Sequence, residues 1–285
     1  MLSLHLKKYL LRVLRKIYKF FYPQMRMVNG ISREELEIAK NVAIATTTFY
    51  RLETEEGRVR SEIAERTVRS ALERGYDVSV VDGGSPDKFL RTLEDLGARV
   101  LKEVGGGGLG PGRRQALQSA YDSGREVVGW TEPEKVYYIQ ELWKTAIPII
   151  AEGVDLVVPA RRSLEDYPTD QQHAEHFGNI FFKNLTGHAL DMWFGPRTFS
   201  GEVSDYFLNY DGKYGDLWDA HHIPVLDMIH DGKRVLSVLI DYRHPTEQTK
   251  NEEGDPEFGM KRYKQLENLV PTMYKHWKML NSSKQ

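Results

Sequence analysis

The sequence predicts an α/β fold, a mostly parallel central sheet with helices on both faces. Three observations predict it. From residue 40 onward, short β-branched runs alternate with longer amphipathic stretches, the succession that builds βαβ units. Glycine-rich and acid-rich segments fall directly after the predicted strands, where open α/β sheets bind ligands. The 285 residues include 40% hydrophobic, 28% charged and 11% aromatic side chains, a composition that excludes collagen-like, disordered and membrane-embedded chains.

The first element is a basic arm, residues 1–30, with seven basic side chains and no acidic one. Leu6, Leu10, Val13, Leu14, Ile17 and Phe21 fall on one face of a helix, and Lys8, Arg12, Arg15, Lys16 and Lys19 on the other. Such a helix can lie in an anionic membrane interface, where each basic residue contributes about 1 kcal/mol. It can also pack on the chain's own acidic body or act as an organelle-targeting segment. The membrane interface is the preferred reading, giving the expectation of a cytoplasmic protein held peripherally at a membrane. The arm has no uncharged stretch of membrane-spanning length, and Pro23 ends it.

The body, residues 40–250, opens with a buried strand over Val42 to Thr48. A helix over Arg58 to Arg74 stops at Gly75, and a strand over Val78 to Val81 ends in Asp82-Gly83-Gly84-Ser85-Pro86. A helix through Leu96 and a strand over Ala98 to Val104 lead into a loop, 105–112, with six glycines in eight residues. A helix to Ser123, a strand over Glu126 to Trp130, a long helix and a strand over Val154 to Pro159 follow. Beyond Arg162 the alternation weakens: helices are expected over 169–187 and 216–231, a strand over Val235 to Asp241, and a polar loop over 242–258. Residues 251–285 form a C-terminal loop and a final amphipathic helix.

Charge and cysteine narrow the function classes. The net charge of −2 conceals the +7 arm; the remaining residues hold 32 basic against 41 acidic side chains, a body of −9. An acidic body argues against a nucleic-acid partner, since phosphate-binding grooves are backed by a basic field. With no cysteine there is no disulfide, thiolate metal site or cysteine nucleophile, so any metal sits on oxygen or imidazole.

Three constellations can carry chemistry. Asp82 ends the second strand, where a carboxylate can accept from a base or ribose, or cap its own turn. The glycine loop precedes Arg113 and Arg114, so free backbone N–H groups and two guanidinium groups can meet a diphosphate. It lacks the Gly-Lys-Ser/Thr of a P-loop. Glu132-Pro133-Glu134 follows the next strand, and two acids one residue apart on an extended end can share a hard cation; the same pair also suits a helix N-terminus. His173 and His176, one turn apart without a third ligand, read as a solvated helix face. His221-His222 sits among Asp216, Asp219 and Asp227, and His244 stands alone after the last strand.

Taken in order, these pieces resemble the GT-A-type glycosyltransferases, particularly the family 2-like enzymes and the dolichyl-phosphate mannose synthase group, over about residues 40–250. Val80-Val81-Asp82-Gly83-Gly84-Ser85 looks like the family's Val-Asp-Asp-Gly-Ser strand end. Gly112-Arg113-Arg114-Gln115-Ala116-Leu117 is similar to its Gly-Lys-Gly-x-Ala-Leu stretch. Val154 to Arg161 looks like the strand after the metal motif, and Asn184-Leu185-Thr186-Gly187, Asp191 and Gly195-Pro196-Arg197-Thr198-Phe199 resemble the acceptor-side segment. The departure is Glu132-Pro133-Glu134 in place of Asp-x-Asp; glutamates still bind magnesium or manganese, with the ion moved by about a methylene.

The resemblance implies a glycosyltransferase, of hexosyl type, that moves a sugar from a nucleoside-diphosphate sugar to a lipid phosphate, protein or small-molecule acceptor with Mg2+ or Mn2+. It places Thr46, Thr48, Asp82, Gly110, Gly112 and Arg113 on the nucleotide sugar, Glu132, Glu134 and His244 on the metal, and Asp216 or Asp219 as the acceptor's base. Two alternatives stay open: a sugar-phosphate nucleotidyltransferase, whose phosphate loop normally follows the first strand where this chain has Thr46-Thr47-Thr48, and a catalytically inactive nucleotide-sugar-binding relative.

Overall fold

Strand β1 (Val42–Thr48) is buried at nearly every position because both faces are covered. Val42 and Ile44 enter a core cluster with Val78, Val80 and Leu142, whereas Ala43 and Ala45 enter a second with Val81, Trp130 and Phe199. The period-two alternation of a strand thus feeds two cores, one on each face. A computed structural model describes residues 27–28, 31–104 and 108–282. Apart from Met27–Val28, which pairs with Ile31–Ser32, the expected basic arm lies outside these residues, as does 105–107 of the glycine loop.

A short helix α1 (Arg33–Ala39) precedes β1. Helix α2 (Glu55–Glu73) begins where the Thr54 hydroxyl accepts from Gly57 N at 3.0 Å, a side-chain N-cap. Strand β2 (Asp77–Asp82), helix α3 (Asp87–Leu96) and strand β3 (Arg99–Lys102) follow. Gly97, with φ 103°, ends α3 in the left-handed conformation glycine adopts without strain. Next come α4 (Leu109–Tyr121), β4 (Val127–Trp130), α5 (Val136–Glu152), β5 (Leu156–Arg161), α6 (Thr169–Thr186), β6 (Arg197–Ser200), the single turn α7 (Asp205–Leu208), α8 (Asp219–His230), β7 (Val235–Ile240), α9 (Thr246–Glu252) and α10 (Pro256–Ser282).

The seven strands form one sheet in the order β3-β2-β1-β4-β6-β5-β7. All neighbours are parallel except β6, which runs antiparallel to β4 and β5. The α/β class, mostly parallel sheet and two helical faces are those expected. Four details differ. Strand β6 was not expected, because Arg197-Thr198-Phe199-Ser200 has no apolar run; it is held by Trp130↔Arg197 and Leu156↔Phe199 pairing. Helix α4 starts at Leu109, so Gly110 and Gly112 lie in its first turn and not in a loop. Helix α8 starts at Asp219 and not 216, because Asp216 takes φ 58°. Finally, the polar segment 242–258 contains α9, whose polar residues hid it.

The register explains where the site forms. Thr48 pairs with Asp82, Asp82 with Lys102, and Trp130 with Ala45, so β1 to β4 present their carboxyl ends along one edge of the sheet. Among the described residues, no helix is long and apolar enough to cross a membrane.

Candidate active site

At the β1 and β2 ends, Asp82 is buried and its two oxygens are both engaged. Oδ1 accepts from the Thr48 hydroxyl at 2.7 Å, and Oδ2 from Gly84 N and Ser85 N at 2.8 and 2.7 Å. Asp82 therefore shapes the turn after β2 as an Asx cap, and the Ser85 hydroxyl accepts in turn from Tyr50 N at 2.9 Å. Thr46 shares the strand face of Thr48, and its buried hydroxyl has no hydrogen-bond partner.

The first turn of α4 meets the segment before α8. Arg114 Nη1 and Nη2 donate to Asp216 Oδ1 and Oδ2 at 2.5 and 2.7 Å, a bidentate pair. Gly110 makes the approach possible, since a Cβ there would collide with the Asp216 carboxylate. Arg113 is buried, and its Nη1 donates to Leu217 O while Nε has no partner. Burial lowers its pKa to about 10 against the pull of Glu132, Asp219 and Asp216, so it is a cation at neutral pH. Asp219 is buried and accepts from Leu217 N at 2.7 Å, Asp216 N at 3.2 Å and the Tyr210 hydroxyl at 2.5 Å. It caps the bend that gives Asp216 its positive φ. The structure thus unites Gly110, Arg113, Asp216 and Asp219, which are far apart in sequence.

Beyond β4 the two glutamates have different partners. Glu134 is buried, accepting from the Tyr50 hydroxyl at 2.8 Å and from Arg60 Nε at 2.9 Å; the carboxylate pushes the Arg60 pKa up. Glu132 lies against Gly195, where a Cβ would collide with it, and its buried Oε2 has no hydrogen-bond partner. Arg113, Lys135 and Arg197 all feel the Glu132 charge. The Lys135 ammonium stands 5.3–5.5 Å from the ring centres of Tyr167, Phe194 and Tyr242, an aromatic cage of the kind that holds cations. Arg161, buried between Tyr167 and Phe194, pairs with Asp191 at 2.7 Å and Glu175 at 2.6 Å.

The histidines divide. His173 and His176 are exposed, as a solvated face requires. His244 is buried, stacks on Tyr167 at 4.2 Å and faces Glu252 Oε2 across 3.5 Å. His221 packs on Trp130 at 5.0 Å and His222 on Trp193 at 5.1 Å. Burial, aided by nearby guanidinium groups, keeps both imidazoles neutral, with His222 lowered to about 3.

These positions test the expected cation. Glu132, Glu134 and His244 do not form one cluster: among the described residues no three His, Asp or Glu side chains make a metal-holding group. The unpartnered Glu132 Oε2 nevertheless fits a Mg2+-type ion, which takes one or two carboxylates and completes its shell with phosphate oxygens and water. Arg60 and Lys135 enter the site without a distinctive sequence signal, whereas Arg114 is marked with Arg113 by the glycine loop before them.

No family model matches the chain, and no curated protein matches it. Solved structures do resemble it. Glucosyl-3-phosphoglycerate synthase of Mycobacterium tuberculosis superposes with a TM-score of 0.56 at 15% identity, over 87% of this chain and 85% of that one. The same enzyme with Mn2+, UDP-glucose and phosphoglyceric acid gives 0.54 at 12% identity, over 90% and 86%. Its complex with Mg2+ and UDP gives 0.51 at 15% identity, over 86% and 85%. At this level of identity the likeness establishes architecture, and the chain has the GT-A fold.

Proposed function

We propose that the chain is a glycosyltransferase that moves a hexose from a nucleoside-diphosphate sugar to a small-molecule acceptor with Mg2+ or Mn2+. The observation that carries this reading is the meeting of Arg113, Arg114 and the glycine-bearing first turn of α4 with Glu132 and Asp216 at the carboxyl ends of parallel strands. A helix N-terminus with two guanidinium groups suits a diphosphate. The notch at Gly110, filled here by the Asp216 carboxylate, is sized for an anionic oxygen. The likeness to an enzyme crystallised with UDP-glucose, Mn2+ and phosphoglyceric acid supports the same reaction class.

In this reading Glu132 would hold the cation through its unpartnered oxygen, and Mg2+ or Mn2+ there would supply positive charge against the departing diphosphate. Arg113, in its buried seat, stabilises the same charge more strongly than it would in water. Diphosphate binding at Arg114 competes with Asp216. The released Asp216 carboxylate is then placed to accept the acceptor's proton, while Asp219, fully engaged, holds the bend. Beside Trp218, which follows the Asp216 bend, Glu257, Met260, Lys261 and Lys264 line a groove of about 670 Å³, which we assign to the acceptor.

The test is release of nucleoside diphosphate from a panel of nucleotide sugars with Mn2+. Turnover of at least one donor is expected, reduced roughly 100-fold or more in Glu132→Ala. Donor binding without any turnover would instead support the non-catalytic binding reading.

A further inference from the structure

The β3 end carries a carboxylate that the proposed reaction does not use. Glu103 N donates to Asp82 O at 2.9 Å, which sets Glu103 beside the β2 end. The backbone around it is pinned by Gln115, which donates to Lys102 O and accepts from Val104 N, both at 2.9 Å. Glu103 Oε1 is buried and has no hydrogen-bond partner.

This carboxylate faces a notch made by missing side chains. A Cβ on Gly83 would stand 3.2 Å from Glu103 Oε2 and 3.7 Å from Phe49, and a Cβ on Gly84 would stand 3.6 Å from the Phe49 ring. Phe49 is 59% exposed, with the Arg51 guanidinium 6.0 Å from its ring centre. Asp82, the other acid here, already has both oxygens engaged. The notch therefore offers an accessible aromatic ring beside Glu103 Oε2, while Oε1, the buried oxygen without a partner, lies toward Gly112, 3.6 Å from where its Cβ would stand.

A flat heteroaromatic ligand with N–H donors fits both features. An ionised carboxylate only accepts, and its two oxygens match two adjacent donors. Guanine presents such a pair, its ring N1–H and exocyclic amine. Uracil has one N–H flanked by two carbonyl oxygens that a carboxylate repels, and adenine sets its amine beside an acceptor nitrogen. We propose that Glu103 selects guanine, so that the donor is a guanosine-diphosphate sugar; this rests on the nucleotide-sugar reading of the site.

Calorimetric titration of GDP, UDP and ADP into the full chain with Mn2+ tests it, alongside Glu103→Gln. GDP is expected to bind at least about tenfold tighter than the others, and the variant to lose roughly 10- to 100-fold for GDP with little change for UDP. The variant's amide should favour xanthosine diphosphate, whose carbonyl replaces the guanine amine. UDP binding as tightly as GDP, or a Glu103→Gln loss equal for all three nucleotides, would overturn the base assignment and leave the transferase reading standing. Failure of every nucleoside diphosphate to bind would overturn both.

Discussion

Glu134 illustrates how one residue can be chemically conspicuous and structurally committed. Its carboxylate satisfies the buried Tyr50 hydroxyl and joins β4 to α2 through Arg60. Glu134→Ala would leave both donors without their acceptor, at a cost of about 1–3 kcal/mol; the half-exposed Arg60 keeps this below the cost of breaking a fully buried pair. A lower thermal midpoint in Glu134→Ala, with Glu132→Ala changing it much less, is the expected result of paired melting experiments. His222 gives a second prediction at this scale. Its folded pKa of about 3 lies below the ordinary 6.5, so the unfolded chain binds the proton first as pH falls. Its contribution is present above about pH 6.5 and is lost progressively toward pH 3. Thermal midpoints between pH 7 and 5 should fall with acid, and fall less steeply in His222→Gln.

Among the elements, the first turn of α4 and the bend before α8 act as a pair. Asp216 occupies the left-handed region, is capped by Asp219 and neutralises Arg114. Asp216→Ala should free Arg114 and tighten nucleoside-diphosphate binding several-fold while abolishing transfer, because it removes both the competitor and the proposed base. Titration calorimetry beside a turnover assay separates the two effects. Weaker binding in that variant would mean that Asp216 positions the arginine for the ligand. The sequence marks Arg113, Asp216 and Asp219 as chemically active types but carries no sign that Arg114 and Asp216, 102 positions apart, close on each other. The packing of α4 on β1 and β2 and against α7, which in turn packs on α8, brings those segments together.

Across the whole molecule, the legible part is the part with local physics. Strands buried on both faces must be apolar runs, so β1, β2 and β4 declare themselves, and glycine stops such as Gly75 and Gly97 mark where helices end. Strand β6 is not legible because its antiparallel insertion depends on neighbours already in place. Nor is the split between Glu132 and Glu134, since spacing fixes a pair of acids but not the partners that Arg60 and Tyr50 supply from elsewhere.

The proposed chemistry requires that a nucleoside diphosphate sit on the first turn of α4 against Arg113 and Arg114. Titration of nucleoside diphosphate with Mn2+ into the wild-type chain and Arg114→Ala measures it directly. Saturable binding is expected, weakened roughly 10- to 100-fold in the variant by loss of a charge-assisted bidentate contact. Equal affinity in the two proteins, with the variant folded, would contradict it.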